Sequence, residues 1–385
     1  MKNAKELLLD LLKFDTQNSD AKNSLKGETI ELLKYVENYL KDDSITTEIQ
    51  EYSLENYSNR GILLAFPKEM KELPNILLQG HVDTVPAGNF KGNYLGEIKE
   101  DTIIGRGAVD MKGSVACIIT AFKAITKSTK RKFNPILLLT SDEEAKGFAG
   151  IKHFLKNNEL KIDFAICGEP SNFKIYNKFK GAISKEIIIH GKSAHGSKPH
   201  QGKNAIYDSL EILNSLKEFA SHINEKIINH KFESENEHSK KSTLNVGKIT
   251  GGNKVNSVPE SCKIEFEMRL VCPIEDYEKE VKEKILNKIP AEIKYEYKHN
   301  FHFNPFIIEE NKFIPELEES IKKIKSNAEF GIMMGFSEAS IMNEKNIPTI
   351  IFGVGNSKYS HSEDEQIETK DLEIYEKILI NFFLK

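Results

Sequence analysis

Tryptophan is absent from the 385 residues, cysteine occurs only four times, and no apolar run approaches the length of a membrane span. The cysteines, Cys117, Cys167, Cys262 and Cys272, are scattered and form no C-x-x-C pair. That excludes a thiolate metal knuckle or redox dithiol and predicts free thiols in a reducing cytoplasm. An excess of one charge is also missing. The formal net charge is -4, and lysines alternate with acids, as in KEVKEK (279–284), which argues against an electrostatic nucleic-acid binder. Lys2, Lys5, Glu6 and Asp10 interrupt the leucines of the first segment, so it lacks the apolar core of a signal peptide. Neither nucleic acid nor membrane is an expected partner.

What is present suits a large α/β protein. The length favours two or three domains. Amphipathic helices are predicted at 4–12 and 28–40 and strands at 44–52 and 61–66. The short apolar runs 76–79, 135–140, 164–167 and 348–353, with helices at 113–124 and 147–157 between them, have the alternation of a mostly parallel sheet covered by helices. From about 178 to 300 the texture changes. Strands at 183–190, 243–249, 263–270 and 292–297 alternate apolar with polar residues, and helices at 204–219 and 276–288 complete a β-α-β-β-α-β order. This reads as an α+β, ferredoxin-like insert (178–300) in a host formed by 1–177 and 301–385. Within it, FESENEHSKK (232–241) is too polar for anything but a surface loop.

The apolar runs share one feature: each ends in groups able to bind metal. His81 and Asp83 follow the first; Glu143 and Glu144 the second; Glu169 the third; His361 comes shortly after the fourth, and Asp110 precedes a helix. In open α/β sheets, ligands collect at the carboxyl ends of the strands. Two imidazoles with several carboxylates and no thiolate suit zinc, cobalt or manganese better than calcium or magnesium. Each residue alone has an ordinary reading. Asp110 could cap the helix, Glu143 and Glu144 could be an exposed first-turn pair, and the others could be loop residues. Their coincidence at four strand ends is what points to a metal centre.

HVDTVP (81–86), GRGAVDMKG (105–113), TSDEEAKG (140–147), GEPS (168–171) and SHSEDE (360–365) together resemble the co-catalytic zinc metallopeptidase family that includes acetylornithine deacetylase, succinyl-diaminopimelate desuccinylase, aminoacylase and glutamate carboxypeptidase. The resemblance spans nearly the whole chain. It implies a zinc-peptidase-like catalytic domain and a lid or dimerisation insert. It also implies two zinc ions, for which cobalt or manganese could substitute: His81, Asp110 and Glu169 would hold one and Asp110, Glu144 and His361 the other. Asp83 would accept the remaining ring N–H of His81 and fix its tautomer. Glu143, left free, would take a proton from the attacking water and return it to the departing amine.

The resemblance extends to the insert. GKSAHG (191–196) matches the family's lid histidine, so His195 is expected to reach across a homodimer and stabilise the oxyanion. Asn256 and Arg269 match positions that hold substrate, with a turn residue and a surface salt bridge as their ordinary readings. GFSEAS (335–340) resembles the Thr-Glu-Ala segment of acetylornithine deacetylases, which gives Glu338 the task of selecting a side-chain ammonium and makes N-acetylornithine the expected substrate. A desuccinylase, another deacylase or a dipeptidase is the same-class alternative. A family member that binds metal or ligand without catalysis is the alternative from a different class.

Overall fold

A computed structural model describes residues 2–18, 27–54, 57–144, 148–234 and 236–384. The first residue of the helix expected at 147–157, and Glu235 of the polar loop, lie outside them. Two compact units emerge: one of Met1–Asn177, Ile308–Gly331 and Ser337–Lys385, the other of Lys178–Ile307 with Ile332–Phe336.

In the first unit, helix α1 (Ala4–Leu12) starts on an Asn3–Glu6 capping box, which satisfies two backbone N–H groups that the first turn leaves without partners. Helix α2 (Thr29–Leu40) follows, then β1 (Ile45–Leu54), β2 (Tyr57–Pro67) and β3 (Asn75–His81). Two three-residue strands, β4 (Glu97–Lys99) and β5 (Thr102–Ile104), precede α3 (Lys112–Lys127), β6 (Asn134–Thr140), α4 (Ala149–Asn157), β7 (Phe164–Cys167) and β8 (Ile175–Phe179).

Strand β8 carries the chain into the second unit. There β9 (Gly181–His190), α5 (Ala205–Lys226), β10 (Thr243–Gly251), β11 (Ser261–Leu270), α6 (Ile274–Lys284) and β12 (Lys294–Phe303) form an antiparallel sheet in the order β10-β11-β9-β12. This is the β-α-β-β-α-β order expected from the sequence. The insert ends later than residue 300: β12 continues to Phe303, and β13 (Phe306–Ile307) pairs with Lys178 and Phe179. The polar 232–241 segment is anchored rather than loose. Phe232 and Ser239 are buried, and the Lys180 ammonium donates to the carbonyls of His238 and Lys241.

Back in the first unit come α7 (Phe313–Lys325), β14 (Phe330–Met333), α8 (Glu338–Glu344), β15 (Thr349–Ile351), β16 (Gln366–Glu368) and α9 (Thr369–Phe383). The main sheet runs β1-β2-β6-β3-β7-β15-β8. Its four central strands are parallel, as predicted, and antiparallel strands flank them. Ile76, Leu78, Leu137, Leu139, Phe164 and Ile166 join the core formed with α1, α2, α3, α7 and α9. The alternate residues, including Leu77, Gln79 and Leu138, are equally buried, with α4 and α8 covering that side. Burial on both faces explains why these strands read as unbroken apolar runs. It also leaves their carboxyl ends as the place where polar side chains can gather.

Candidate metal centre

Strand β3 delivers His81 at its last residue, and the ring is 1% exposed. Its Nδ1 lies 3.0 Å from the backbone carbonyl of Asp83. A carbonyl can only accept, so Nδ1 carries the proton and Nε2 presents a lone pair. That lone pair faces Asp110 Oδ1 at 3.3 Å and Glu169 Oε1 at 3.7 Å. The other oxygen of Asp110, Oδ2, lies 3.5 Å from His361 Nε2, which is 3.0 Å from Glu144 Oε1. Asp110 therefore stands between two histidines, and each histidine has its own glutamate. Among the described residues, His81 Nε2 and Asp110 Oδ1 are buried with no hydrogen bond of good geometry, a costly state unless a cation lies between them.

Among the described residues, two sets of ligand atoms each lie within 4.8 Å of one another: His81, Asp110 and Glu144, and His81, Glu143 and Glu169. The second places Glu143 within ligand reach as well. Electrostatics point the same way. Burial, then the neighbouring Glu169 charge, pushes the Glu143 carboxyl well above the usual range. Burial and Asp110 push Glu169 up to about 8, and burial raises Glu144. The contact with Glu144 lifts His361 to about 8. Crowded carboxylates resist sharing negative charge, and a cation among them removes that resistance. Oxygen and imidazole donors, two unpartnered buried atoms and the crowding all fit a metal pair.

Asp83 meets the His81 ring with both of its groups: the carboxylate Oδ1 pairs with Nδ1 at 3.6 Å, and the backbone carbonyl lies closer, at 3.0 Å. The carboxylate has other donors: Asn18 Nδ2 at 2.6 Å and the backbone N–H groups of Glu143 at 3.2 Å and Glu144 at 2.9 Å. The Asn18 N–H donates to the Thr84 carbonyl, and its side-chain carbonyl in turn accepts from the buried Arg60 guanidinium. Asp83 thus fixes the His81 ring and, through its side chain, the Glu143–Glu144 turn.

Glu338 is 1% exposed, and its Oε2 accepts from Thr140 Oγ1 at 2.6 Å and from Gln79 Nε2. Helix α8 begins against the carboxyl ends of β3 and β6, and its first acid is buried there. In the second unit, His195 is exposed, and its Nδ1 accepts from the Ser197 N–H, so Nε2 carries the proton. The Asn256 carbonyl accepts from Gly196 N, placing the two loops side by side. Arg269 NH2 pairs with Glu267 at 2.8 Å, the ordinary surface salt bridge.

The chain from residue 77 to 385 matches the model of peptidase family M20/M25/M40. It is 30% identical over 334 residues to a succinyl-diaminopimelate desuccinylase of Pelagibacter ubique, covering 80% of this chain and 83% of that one. The chain belongs to this family. An acetylornithine deacetylase of Buchnera aphidicola is 27% identical, with 96% and 94% of the two chains covered. A tripeptidase structure from Staphylococcus aureus superposes with a TM-score of 0.76 at 21% identity, over 99% and 97% of the chains. As an M20/M25/M40 member the protein is a metal-dependent hydrolytic enzyme. Among the described residues no helix is long and apolar enough to cross a membrane.

Sequence reasoning passed over one residue of this M20 site. Glu365 is fully buried, and its carboxylate accepts from Arg106 NH1 at 2.7 Å and from the N–H groups of Gly107, Val109 and Asp110 at 3.0, 2.9 and 2.9 Å. Three of the four donors are backbone groups, which leave no mark in the sequence. The only signal was the acid's place in SHSEDE.

Proposed function

We propose that this enzyme hydrolyses the amide bond between an acyl group and the nitrogen of an amino acid. The observation that carries the reading is the division around Asp110, one oxygen toward His81 and one toward His361, each histidine backed by its own glutamate. His81, Asp110 and Glu169 would hold one ion and Asp110, Glu144 and His361 the other, with zinc as the metal and cobalt or manganese able to replace it. When bound, the pair would polarise the amide carbonyl and make a water acidic enough to attack. Glu143 takes that water's proton and hands it to the departing amine. Its burial, which raises its proton affinity, suits a group that carries a proton between two partners.

His195, with its proton on Nε2, can donate to the oxyanion; in this reading it does so from a second copy. The dimer is supported by the exposed Tyr207 and Leu210 on α5 and Ile249 on β10, an edge strand of its sheet. Asn256 and Arg269 hold the substrate, Arg269 exchanging Glu267 for a carboxylate. A cytoplasmic location is supported by the free cysteines, three of them buried.

Glu338 is buried against Thr140 and Gln79, which leaves the resemblance of SAHGSKPHQGKNAI (193–206) to the acetylornithine branch as the support for N-acetylornithine. Relatives named as desuccinylases, such as the Pelagibacter protein, move N-succinyl-diaminopimelate to first place, ahead of N-acetylornithine. Steady-state kinetics on both, with N-acetylcitrulline and a dipeptide, test the choice. Preferred turnover of N-acetylornithine would overturn this ranking. In the same assay Glu143→Gln should lower kcat by about 10²–10⁴-fold while zinc content stays at two per chain, and parent-like turnover would refute Glu143 as the base.

A further inference from the structure

Asp110 is the last residue of the GRGAVD segment, and nothing in its own side chain explains how its two oxygens stay aimed at two separate histidines. The explanation lies in the backbone before it. Gly107 has φ of +88°, and a Cβ there would meet Thr84 Cγ2 at 2.6 Å, so only glycine fits. That turn makes the N–H groups of Gly107, Val109 and Asp110 converge, a concave arrangement of the kind that binds anions. The anion is the chain's own Glu365. Its Oε1 takes Val109 N and Asp110 N, and its Oε2 takes Gly107 N and the Arg106 guanidinium. Both oxygens are therefore fully used.

Glu365 lies four residues after His361. The intervening strap is sewn to the same region: Lys91 N donates to Glu363 O, Gly105 N to Glu365 O, and β16 pairs with β5. His361 itself has φ of +59°, a left-handed conformation that a histidine holds only where its surroundings impose it. One carboxylate thus locks the loop of the shared aspartate to the strap that carries the second histidine.

We propose that Glu365 is a positioning residue for the metal pair, setting the separation between Asp110 and His361 and so the affinity of the site formed by Asp110, Glu144 and His361. The inference rests on the two-ion reading above. Asp110 belongs to both sites, so both ions feel its loop move; the second site feels it more, because Glu365 ties down the loops of both Asp110 and His361, whereas His81 and Glu169 are carried by β3 and the end of β7. In Glu365→Gln the new amide N–H₂ must face either two backbone N–H groups or the guanidinium and another N–H, so two of the four bonds are lost whichever way it turns.

The test titrates metal-free, full-length protein with zinc by chelator competition and follows with kcat and KM on the best substrate of the panel. Glu365→Gln is expected to weaken the second zinc at least tenfold, within the 10–100-fold range of residues that support ligands. The first zinc, which shares Asp110, should weaken by a clearly smaller factor than the second. kcat should fall at least tenfold with KM within threefold, and the metal-free thermal midpoint should stay close to that of the parent. Unchanged affinity for both ions overturns the proposal, as does an equal loss of both. If Glu365→Gln does not fold, Arg106→Lys decides: it keeps the charge but loses the guanidinium geometry, and the second zinc should weaken at least threefold, with no change overturning the idea. A parent protein that takes up only one zinc would instead sink the two-ion reading, and this inference with it.

Discussion

At the level of single residues, Glu338 shows how burial changes what an acid can do. Its carboxyl is buried, Oε2 bonded to Thr140 and Gln79 and, among the described residues, Oε1 without a partner. Burial, reinforced by the charge of Asp142, pushes it up to about 8. Between its unfolded value of 4.5 and that folded value the native state binds the extra proton. Stability is therefore highest below the lower value and declines as pH rises toward the upper one. The expected slope in metal-free protein is up to about 1.4 kcal/mol per pH unit from this group. Glu338→Gln, which mimics the neutral acid, should flatten that share of the slope in thermal melts between pH 5 and 8. Parallel curves for parent and variant would refute a protonated Glu338.

At the level of elements, the metal centre depends on how closely the parallel strands approach at their carboxyl ends. Gly353, just after β15, lies against the end of β7: a Cβ there would sit 2.3 Å from the carbonyls of both Gly168 and Glu169. No flexible side chain can yield, because the obstacle is backbone. Gly353→Ala should therefore cost about 1–3 kcal/mol of stability and move Glu169, weakening the first zinc. A chemical-denaturation midpoint matching the parent's would refute the close approach. The strands that frame this contact were legible in the sequence, since burial on both faces forces continuous apolar runs such as FAIC in β7. The three-residue strands β4, β5 and β16 were not legible, because so short a segment shows no periodicity. The inward turn of Glu338 and the commitment of the Asp83 carboxylate were hidden for another reason: each depends on donors far away in sequence.

At the level of the whole molecule, the gathering of metal-capable side chains could be read from strand ends, whereas what holds those side chains in place could not. Asp83, Glu365 and their partners act mostly through backbone N–H groups, and a backbone has no letter in the sequence. Oligomeric state belongs to this scale too. With Tyr207 70% and Leu210 53% exposed on α5, Leu210→Glu should convert a dimer into a monomer, halving the mass found by sedimentation equilibrium. A parent already monomeric at micromolar concentration would remove the dimer from the mechanism.

The second unit leaves the first at Asn177 and the chain re-enters it at Ile308, where Ile308 N donates to Asn177 O across 2.9 Å. For the host, this long excursion is a closed loop with touching ends, and the entropy of closing a loop grows only slowly with its length. The host sheet can therefore assemble before, during or after the guest folds. A change in the guest's length would leave this junction, and with it the register of the host strands, in place.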